Sequence, residues 1–282
     1  MTKHCIVFTV DNNYLPHLGT ALSSFLEHHD PRYVTVGLIY SDIKQNRLDR
    51  FRNYFAKRGL ETRCHEARNC FESITVGYHF NKVIFYRLLA PELFADHGRI
   101  LYLDSDIIFN ACIYDLFELK LGDSVLAAVD KTPFSGVPSH LKDVRRYFAS
   151  GLMLIDTQKY IATKVKSKCL DFLSQHFYVM PDQDALNYAV TSFVDIDPSY
   201  SVETSFLDAG FIHEPKIIQF SGTSKPWHLC NSHPYKRQYW KFRNRTPYRS
   251  IVSDDFSLLN VLRRFIPAVA FDRSKALLRS LL

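Results

Sequence analysis

The chain has 282 residues, of which 46% are hydrophobic and 23% are charged. That length suits one large domain or two small ones, and the apolar fraction excludes an intrinsically disordered protein. The formal net charge of +6 indicates an anionic partner such as a phosphorylated substrate, an acidic membrane or a nucleic acid, although a solvated basic surface has the same sign.

The six cysteines are scattered along the chain and form no Cys-x-x-Cys pair, which argues against a zinc site or a disulfide scaffold. Cys5 and Cys112 lie in or near apolar runs, where we expect them to behave as small hydrophobes. The apolar run near the N-terminus is too short for a signal peptide, and no stretch approaches the roughly 20 apolar residues of a transmembrane helix. These features predict a cytoplasmic protein.

Short β-branched runs alternate with amphipathic segments along much of the chain. We predict strands at 5–10, 34–40, 60–66, 99–103, 125–129 and 152–155, and helices at 18–26, 43–58, 83–94 and from 156 to about 175. The alternation indicates an α/β fold with a mostly parallel sheet, and after residue 198 the pattern becomes irregular and aromatic. In such sheets ligands bind beyond the carboxyl ends of the strands.

Two polar clusters stand at predicted strand ends, Asp11-Asn12-Asn13 and Asp104-Ser105-Asp106. Two carboxylates in such a place can converge on one hard cation, such as Mg²⁺ or Mn²⁺, whose shell diphosphate oxygens complete. The Asp-x-Asp pattern occurs three times in the chain and is weak alone, but Asp104 and Asp106 interrupt an apolar run. Burial of these acids is costly unless a cation or hydrogen bonds compensate it. No glycine-rich phosphate loop is present, so a phosphate ligand would require a metal or basic side chains.

A loop containing Lys225, Pro226 and Trp227 follows a short predicted strand at 217–218. The ammonium group of Lys225 can neutralise a departing phosphate and so lower the barrier to its departure. The same residues also fit a surface loop in which Trp227 is only a hydrophobic anchor.

Five motifs follow one another along the chain. They are Asp11-Asn12-Asn13-Tyr14, Phe85-Tyr86-Arg87-Leu88, Leu101-Tyr102-Leu103-Asp104-Ser105-Asp106, Asp182-Gln183-Asp184-Ala185-Leu186-Asn187 and Gly222-x-x-Lys225-Pro226-Trp227. In this order the motifs resemble glycosyltransferase family 8, which includes bacterial lipopolysaccharide galactosyl- and glucosyltransferases and glycogenin. The resemblance runs from the first strand to about Trp227.

The resemblance implies a GT-A fold of the α/β class, with a mostly parallel, Rossmann-like sheet flanked by helices. It implies a retaining transferase that moves a hexose from a UDP-sugar to a glycan or glycolipid acceptor, with Mn²⁺ or Mg²⁺ as cofactor. The expected context is the synthesis of bacterial surface polysaccharide such as lipopolysaccharide. We expect the transferase domain to span residues 1–250.

The resemblance also implies roles for single residues. The donor-binding set by matching position is Asp11, Asn13, His79, Arg87, Asp104, Ser105, Asp182, Gly222 and Lys225. Asp11 and Asn13 are expected to contact the uridine, and His79 the nucleotide or the diphosphate. Arg87 is expected to hold the acidic triplet and the sugar phosphate.

The expected metal ligands are Asp104, Asp106 and Gln219, with Asp106 as the bidentate ligand. Gln219 stands where the family usually has a histidine, and its amide oxygen lacks the preference of imidazole for transition metals. Ala149 stands where the family has an asparagine near the donor sugar, so the identity of the hexose stays open.

The expected catalytic residues are Asp182, Gln183 and Lys225. Asp182 is implied to hydrogen-bond sugar hydroxyls, Gln183 to lie on the sugar face opposite the leaving group, and Lys225 to neutralise UDP. Because an amide is a poor nucleophile, we favour attack by the acceptor on the face from which UDP leaves, over a covalent intermediate.

Residues 251–282 form a basic amphipathic segment, split at Pro267, in which Arg263, Arg264 and Arg279 stand among leucines. It fits an anionic membrane surface, which would place the protein on the inner face of the cell membrane, and equally an ordinary helix packed on the domain. Other readings of the chain are a non-catalytic nucleotide-sugar binder and a metal-dependent nucleotidyltransferase or phosphohydrolase. No motif for nucleic-acid binding is present, and we expect none to bind.

Overall fold

The computed structural model describes residues 3–68, 70, 71, 74, 82–175, 180–203, 214–249, 255 and 257. The strands are β1 His4–Val10, β2 Val34–Tyr40, β3 Glu61–Glu66, β4 Arg99–Leu103, β5 Ile107–Phe109, β6 Leu126–Asp130, β7 Phe148–Asp156, β8 Val194–Asp195, β9 Val202–Glu203 and β10 Ile217–Gln219. The α-helices are α1 Leu15–His28, α2 Gln45–Ala56, α3 Ala90–Leu93, α4 Thr132–Ser135, α5 Thr157–Ala162, α6 Val165–Gln175, α7 Pro181–Ala189 and α8 Lys236–Arg243.

The main sheet has the strand order β3-β2-β1-β4-β7-β6-β8. Its strands run parallel except β7, which pairs antiparallel with both β4 and β6. A second, smaller sheet has the order β5-β10-β9. The predicted α/β class with a mostly parallel sheet is confirmed.

The sheet separates two apolar layers, as the alternation along β1 illustrates. Ile6 and Phe8 belong to the cluster that includes α1 and α2, whereas Cys5 and Val7 belong to the cluster that includes α6 and α7. Successive side chains of a strand point to opposite faces, so a fully apolar strand indicates a sheet covered on both sides.

Several predicted boundaries differ from the structure. The segment predicted as one helix over 83–94 is a 3-10 helix, Lys82–Leu89, followed by the short α3. Pro91 has no N–H to donate and its ring clashes with the preceding turn, so a continuous α-helix cannot pass through it. The helix predicted to end near residue 175 is broken into α5 and α6 at Lys164, whose φ is 56°. The strand predicted at 152–155 begins earlier, at Phe148, because the small residues before it carry little apolar signal.

The prediction for the cysteines is half right. Cys5 is buried, and burial raises the pKa of its thiol to about 12. Cys112 is exposed, so its apolar neighbours in sequence do not enclose it.

Beyond α8 the chain crosses α1 and reaches α2. Tyr248 is 3% exposed and lies so close to Gly19 of α1 that a Cβ there would stand 3.2 Å from the tyrosine ring. The Tyr54 hydroxyl of α2 donates to the Arg245 carbonyl. Within the described parts of the chain no helix is long and apolar enough to cross a membrane. The segment 251–282, apart from residues 255 and 257, lies outside the described residues, as does His79.

Candidate active site

The acidic triplet lies where the two sheets meet, between β4 and β5. The antiparallel pairing of β4 with β7 places Leu103 opposite Leu152, and the Asp104 N–H donates to the Gly151 carbonyl at 2.9 Å. The antiparallel pairing of β10 with β5 places Gln219 opposite Ile107, beside Asp106. Three segments distant in sequence therefore converge on the two carboxylates.

Gly151 leaves the space in which Asp104 and Gln219 approach each other. A Cβ at this position would stand 2.8 Å from Asp104 Oδ2, and closer still to the Gln219 amide. Any larger residue here would therefore have to displace the Gln219 amide or the Asp104 carboxylate. The Gln219 Nε2 donates to Asp104 Oδ2 at 3.0 Å, and the Ser201 hydroxyl donates to Gln219 Oε1 at 3.0 Å.

Arg87 links three elements around Asp104. Its Nη2 donates to Asp104 Oδ1 at 2.9 Å, and its Nε lies 3.1 Å from Asp182 Oδ2 at the start of α7. Its Nη1 donates to both the carbonyl and the hydroxyl of Ser150, at 2.9 Å and 2.7 Å. Burial alone would lower the pKa of Arg87, but Asp104 and Asp182 hold it above its ordinary value, so the guanidinium stays charged.

Lys225 forms an ion pair with Asp106. Its Nζ lies 2.7 Å from Asp106 Oδ2 and also donates to the Phe220 carbonyl. The loop is anchored by Trp227, which is 4% exposed and stacks on His17 with ring centroids 3.6 Å apart. Trp227 is therefore a hydrophobic anchor, and the same loop also brings Lys225 to the acidic triplet.

The Gln183 amide is held in one orientation by its neighbours. Its Oε1 accepts from the Ser150 N–H at 3.0 Å, while its Nε2 donates to the Tyr147 hydroxyl at 3.0 Å. Tyr147 in turn donates to Asp184 Oδ1 at 2.6 Å, so its hydroxyl has no proton left for Gln183. Burial and the hydrogen bond with Asp184 raise the pKa of Tyr147, which keeps the hydroxyl protonated.

The charges of the cluster do not balance. Three carboxylates, Asp104, Asp106 and Asp182, face the two cations Arg87 and Lys225, which leaves one negative charge in excess. Burial raises the pKa of Asp104 to about 6 against the opposing effect of Arg87. The side chains of Asp104 and Asp106 retain 20% and 13% exposure, so a ligand can reach them.

The donor set fits a hard divalent cation. It offers carboxylate oxygens from Asp104 and Asp106, and a 180° rotation of the Gln219 amide would present Oε1 to the same space while Nε2 donates to Ser201. Oxygen ligands of this kind suit Mg²⁺ and Mn²⁺. Among the described residues no group of three or more His, Cys, Asp or Glu side chains has metal-binding geometry, so the set depends on the amide.

The residues expected at the nucleotide lie at the neighbouring strand end. β1 and β4 are adjacent and parallel, so Asp11 and Asp104 follow strands that end at the same edge of the sheet. Asp11 Oδ1 accepts from the N–H groups of Asn13 and Tyr14, which shapes the turn into α1, and Asn13 is exposed. Gly222 has φ +82°, a conformation that favours glycine.

Ala149 and Ser150 define the wall near the expected sugar position. Ala149 is 4% exposed and carries no polar group, and the Ser150 hydroxyl accepts from Arg87 and lies 3.4 Å from Gln183 Oε1. The Ser150 hydroxyl therefore already bonds protein groups on this wall.

Sequence reasoning missed several residues that shape the site. Tyr102 donates to Asp104 Oδ1 at 3.1 Å and bonds Thr9 at 2.9 Å, and its place inside the apolar run before the triplet was the available sign. No local sequence pattern marks Tyr147 or Ser201, because Tyr147 bonds Gln183, 36 residues away, and Ser201 bonds Gln219, 18 residues away.

Comparison with known proteins agrees with these features. Two bacterial relatives match most of the chain. General stress protein A of Bacillus subtilis is 28% identical over 87% of this chain and 95% of its own length. Lipopolysaccharide 1,2-glucosyltransferase of Escherichia coli K12 is 25% identical over 88% of this chain and 80% of its own length. Glycosyltransferase GlyE of Streptococcus pneumoniae is 26% identical over 86% of this chain, which spans only 61% of GlyE.

Among solved structures, galactosyltransferase LgtC in complex with donor and acceptor sugar analogues has a TM-score of 0.78 at 18% identity, over 89% of this chain and 98% of LgtC. It therefore shares the fold. The model of glycosyl transferase family 8 matches residues 5–230. The chain belongs to glycosyl transferase family 8.

Proposed function

We propose that the protein is a retaining, metal-dependent transferase that moves a hexose from a UDP-sugar to a glycan or glycolipid. The observation that carries this proposal is the ion pair between Lys225 Nζ and Asp106 Oδ2, 2.7 Å apart at the edge of the acidic triplet. It keeps a cation next to the carboxylates that would hold a metal, where a diphosphate leaving group needs neutralising charge.

In this proposal Asp104, Asp106 and the Gln219 amide oxygen hold Mn²⁺ or Mg²⁺. The metal, when bound, supplies Lewis-acid stabilisation of the charge on the diphosphate. Asp11, Asn13, Ser105 and Gly222 belong to the nucleotide side of the site, as does His79, which lies outside the described residues.

Lys225 exchanges its partner Asp106 for the diphosphate as the glycosidic bond breaks. Arg87 holds Asp104 and Asp182 at fixed distances, and Asp182 orients the sugar hydroxyls. The Gln183 amide is bonded at both ends and carries no nucleophilic charge, which favours acceptor attack on the face that UDP leaves. The acceptor proton then passes to the departing phosphate oxygen.

The acceptor we propose is a bacterial surface glycan or its lipid-linked precursor. The support is the similarity to a lipopolysaccharide 1,2-glucosyltransferase. Residues 1–250 would carry out the transfer, and residues 251–282 would hold the enzyme at the membrane where such an acceptor is made.

The test compares Asp106→Asn with Asp197→Asn. Both change an aspartate of an Asp-x-Asp pattern, but Asp197 only caps the turn at Ser199, a role that asparagine also fills. UDP-glucose, UDP-galactose and their N-acetyl forms are incubated with each protein, with Mn²⁺, Mg²⁺ or excess chelator, and hydrolysis and transfer are measured. We expect Asp106→Asn and the chelator each to lower turnover at least about a hundredfold, and Asp197→Asn to leave it unchanged.

Full turnover in the chelator would contradict the metal assignment. Tight binding of a UDP-sugar by the unmodified chain without hydrolysis or transfer would instead identify a nucleotide-sugar binder.

A further inference from the structure

One flank of α2 and the residue that follows Tyr248 carry a set of cations that the site does not use. We call this set the α2 basic face: Arg47, Arg50, Lys57, Arg58 and Arg249. The α2 members recur at intervals of three, seven and one residues, which places them on one flank of the helix and just beyond its end. All are exposed except Arg47, which is half-buried.

The α2 basic face contains no ion pair among the described residues. Two cations nearby do have an acid, since Lys241 and Arg245 share Glu27 at the end of α1. On the face itself two guanidinium groups, those of Arg58 and Arg47, lie near aromatic rings. Arg58 stacks on Tyr54 with 3.6 Å between its Cζ and the ring centroid, and Arg47 lies 6.0 Å from the ring centroid of Tyr248. These contacts order the cations without neutralising them.

A cavity of about 530 Å³ opens beside Arg58 of this face, between the C-terminal ends of α1 and α2. Leu26, Pro31 and Phe55 line it with apolar surface, and Arg58, Glu27 and Arg245, which pairs with Glu27, also line it. A partly apolar recess with the Arg58 cation at its border suits the boundary between a charged headgroup and a hydrocarbon chain.

The sequence beyond Arg249 carries a net positive charge. The continuous described chain ends at Arg249, next to α2, because the preceding Tyr248 lies beside Arg47. Residues 251–282 contain five basic and three acidic residues, so this segment has the same sign of charge as the face. A second cationic segment is repelled by the α2 basic face, whereas an anionic surface attracts both.

We propose that the α2 basic face docks on an anionic membrane surface. The apolar lining of the recess favours lipid over nucleic acid, since apolar surface does not bind a phosphodiester backbone. The inference adds a folded contact surface to the proposed transferase. It rests on the charges and contacts of α2, and its test requires no turnover, so it can fail independently of the proposed activity.

The experiment measures co-sedimentation of the full chain with vesicles of phosphatidylglycerol and phosphatidylcholine in equal parts, and with vesicles of phosphatidylcholine alone. The variant is Arg50→Gln with Arg58→Gln. The matched control is Lys164→Gln with Lys168→Gln, which removes the same charge from two exposed residues at α6, on the opposite side of the sheet. A third protein carries Arg50→Lys with Arg58→Lys and keeps the charge.

At low salt we expect the Gln variant at α2 to lose about tenfold or more in partitioning to the anionic vesicles, and the α6 control and the Lys variant to bind nearly as the unchanged chain does. Added salt should erase the difference, since it screens surface charge. Equal losses in the α2 variant and the α6 control would overturn the proposal, because net charge alone would then explain binding. Unchanged vesicle binding by the α2 variant, together with weaker binding of a single-stranded oligonucleotide, would assign the face to a nucleic acid and overturn it as well.

Discussion

The acidic cluster and the α2 basic face use charge in opposite ways. In the cluster each charged side chain is buried or half-buried and bonded to another, as Arg87 is to Asp104 and Asp182. On the α2 basic face four of the five cations are exposed, two lie near aromatic rings, and no acid pairs with them among the described residues. Removing a cation from the cluster therefore leaves carboxylates uncompensated, whereas removing a cation from the face relieves repulsion. Substituting a cation should therefore change the free energy of unfolding very differently in the two regions.

The largest effect is expected for Arg87→Met. Loss of the guanidinium leaves Asp104 and Asp182 buried together without their shared cation, which should lower the free energy of unfolding by about 3 to 5 kcal/mol. Urea denaturation followed by circular dichroism measures the change. Adding Asp104→Asn should restore part of the loss, since one of the two stranded charges is gone. Equal stability of Arg87→Met and the unchanged chain would mean that the cluster is not electrostatically coupled.

Lys225→Gln should act mainly on catalysis. Since the proposed role of Lys225 is to neutralise the diphosphate as the bond breaks, kcat should fall roughly a hundredfold, with a much smaller rise in KM for the donor. Steady-state kinetics with the preferred UDP-hexose provides the measurement. A rise in KM at constant kcat would make Lys225 a binding residue only.

The smallest effect is expected on the α2 basic face. Arg50→Gln with Arg58→Gln should change the free energy of unfolding by no more than about 0.5 kcal/mol, and toward higher stability at low salt, because like charges are removed. Urea denaturation at two salt concentrations measures whether the free energy of unfolding rises or falls. A loss of several kcal/mol would show that these arginines hold the fold together and would erase the contrast with the cluster.

The sequence was most informative where the chain is locally regular. β-Branched runs located β1, β2 and β4, and the polar residues after β1 and β4 were expected at one edge of the sheet, as the parallel pairing of the two strands confirms. The boundaries failed where small residues extend a strand, at Phe148, and where a proline interrupts a helical pattern, at Pro91.

Within the site, the motifs identified single residues but not their partners. Asp104 and Arg87 were expected to interact and do. The contact of Lys225 with Asp106 spans 119 residues of sequence and arises because β10 pairs with β5, a pairing that no local pattern encodes. The hydrogen bonds that orient Gln183 through Tyr147 are likewise a product of the tertiary structure. Their roles in catalysis remain predictions.

The contact of Tyr248 with Gly19 has a consequence for synthesis of the chain. α1 emerges early from the ribosome, but its buried surface at His17 and Gly19 is completed only by Trp227, Tyr239 and Tyr248. Until these late residues have emerged, the apolar surface of α1 is either exposed to solvent or covered by a chaperone, since domains fold as units. Closing so long a loop costs entropy that local helix formation does not repay. A ribosome stalled before Tyr248 would therefore hold an unfinished fold, however complete its sheet.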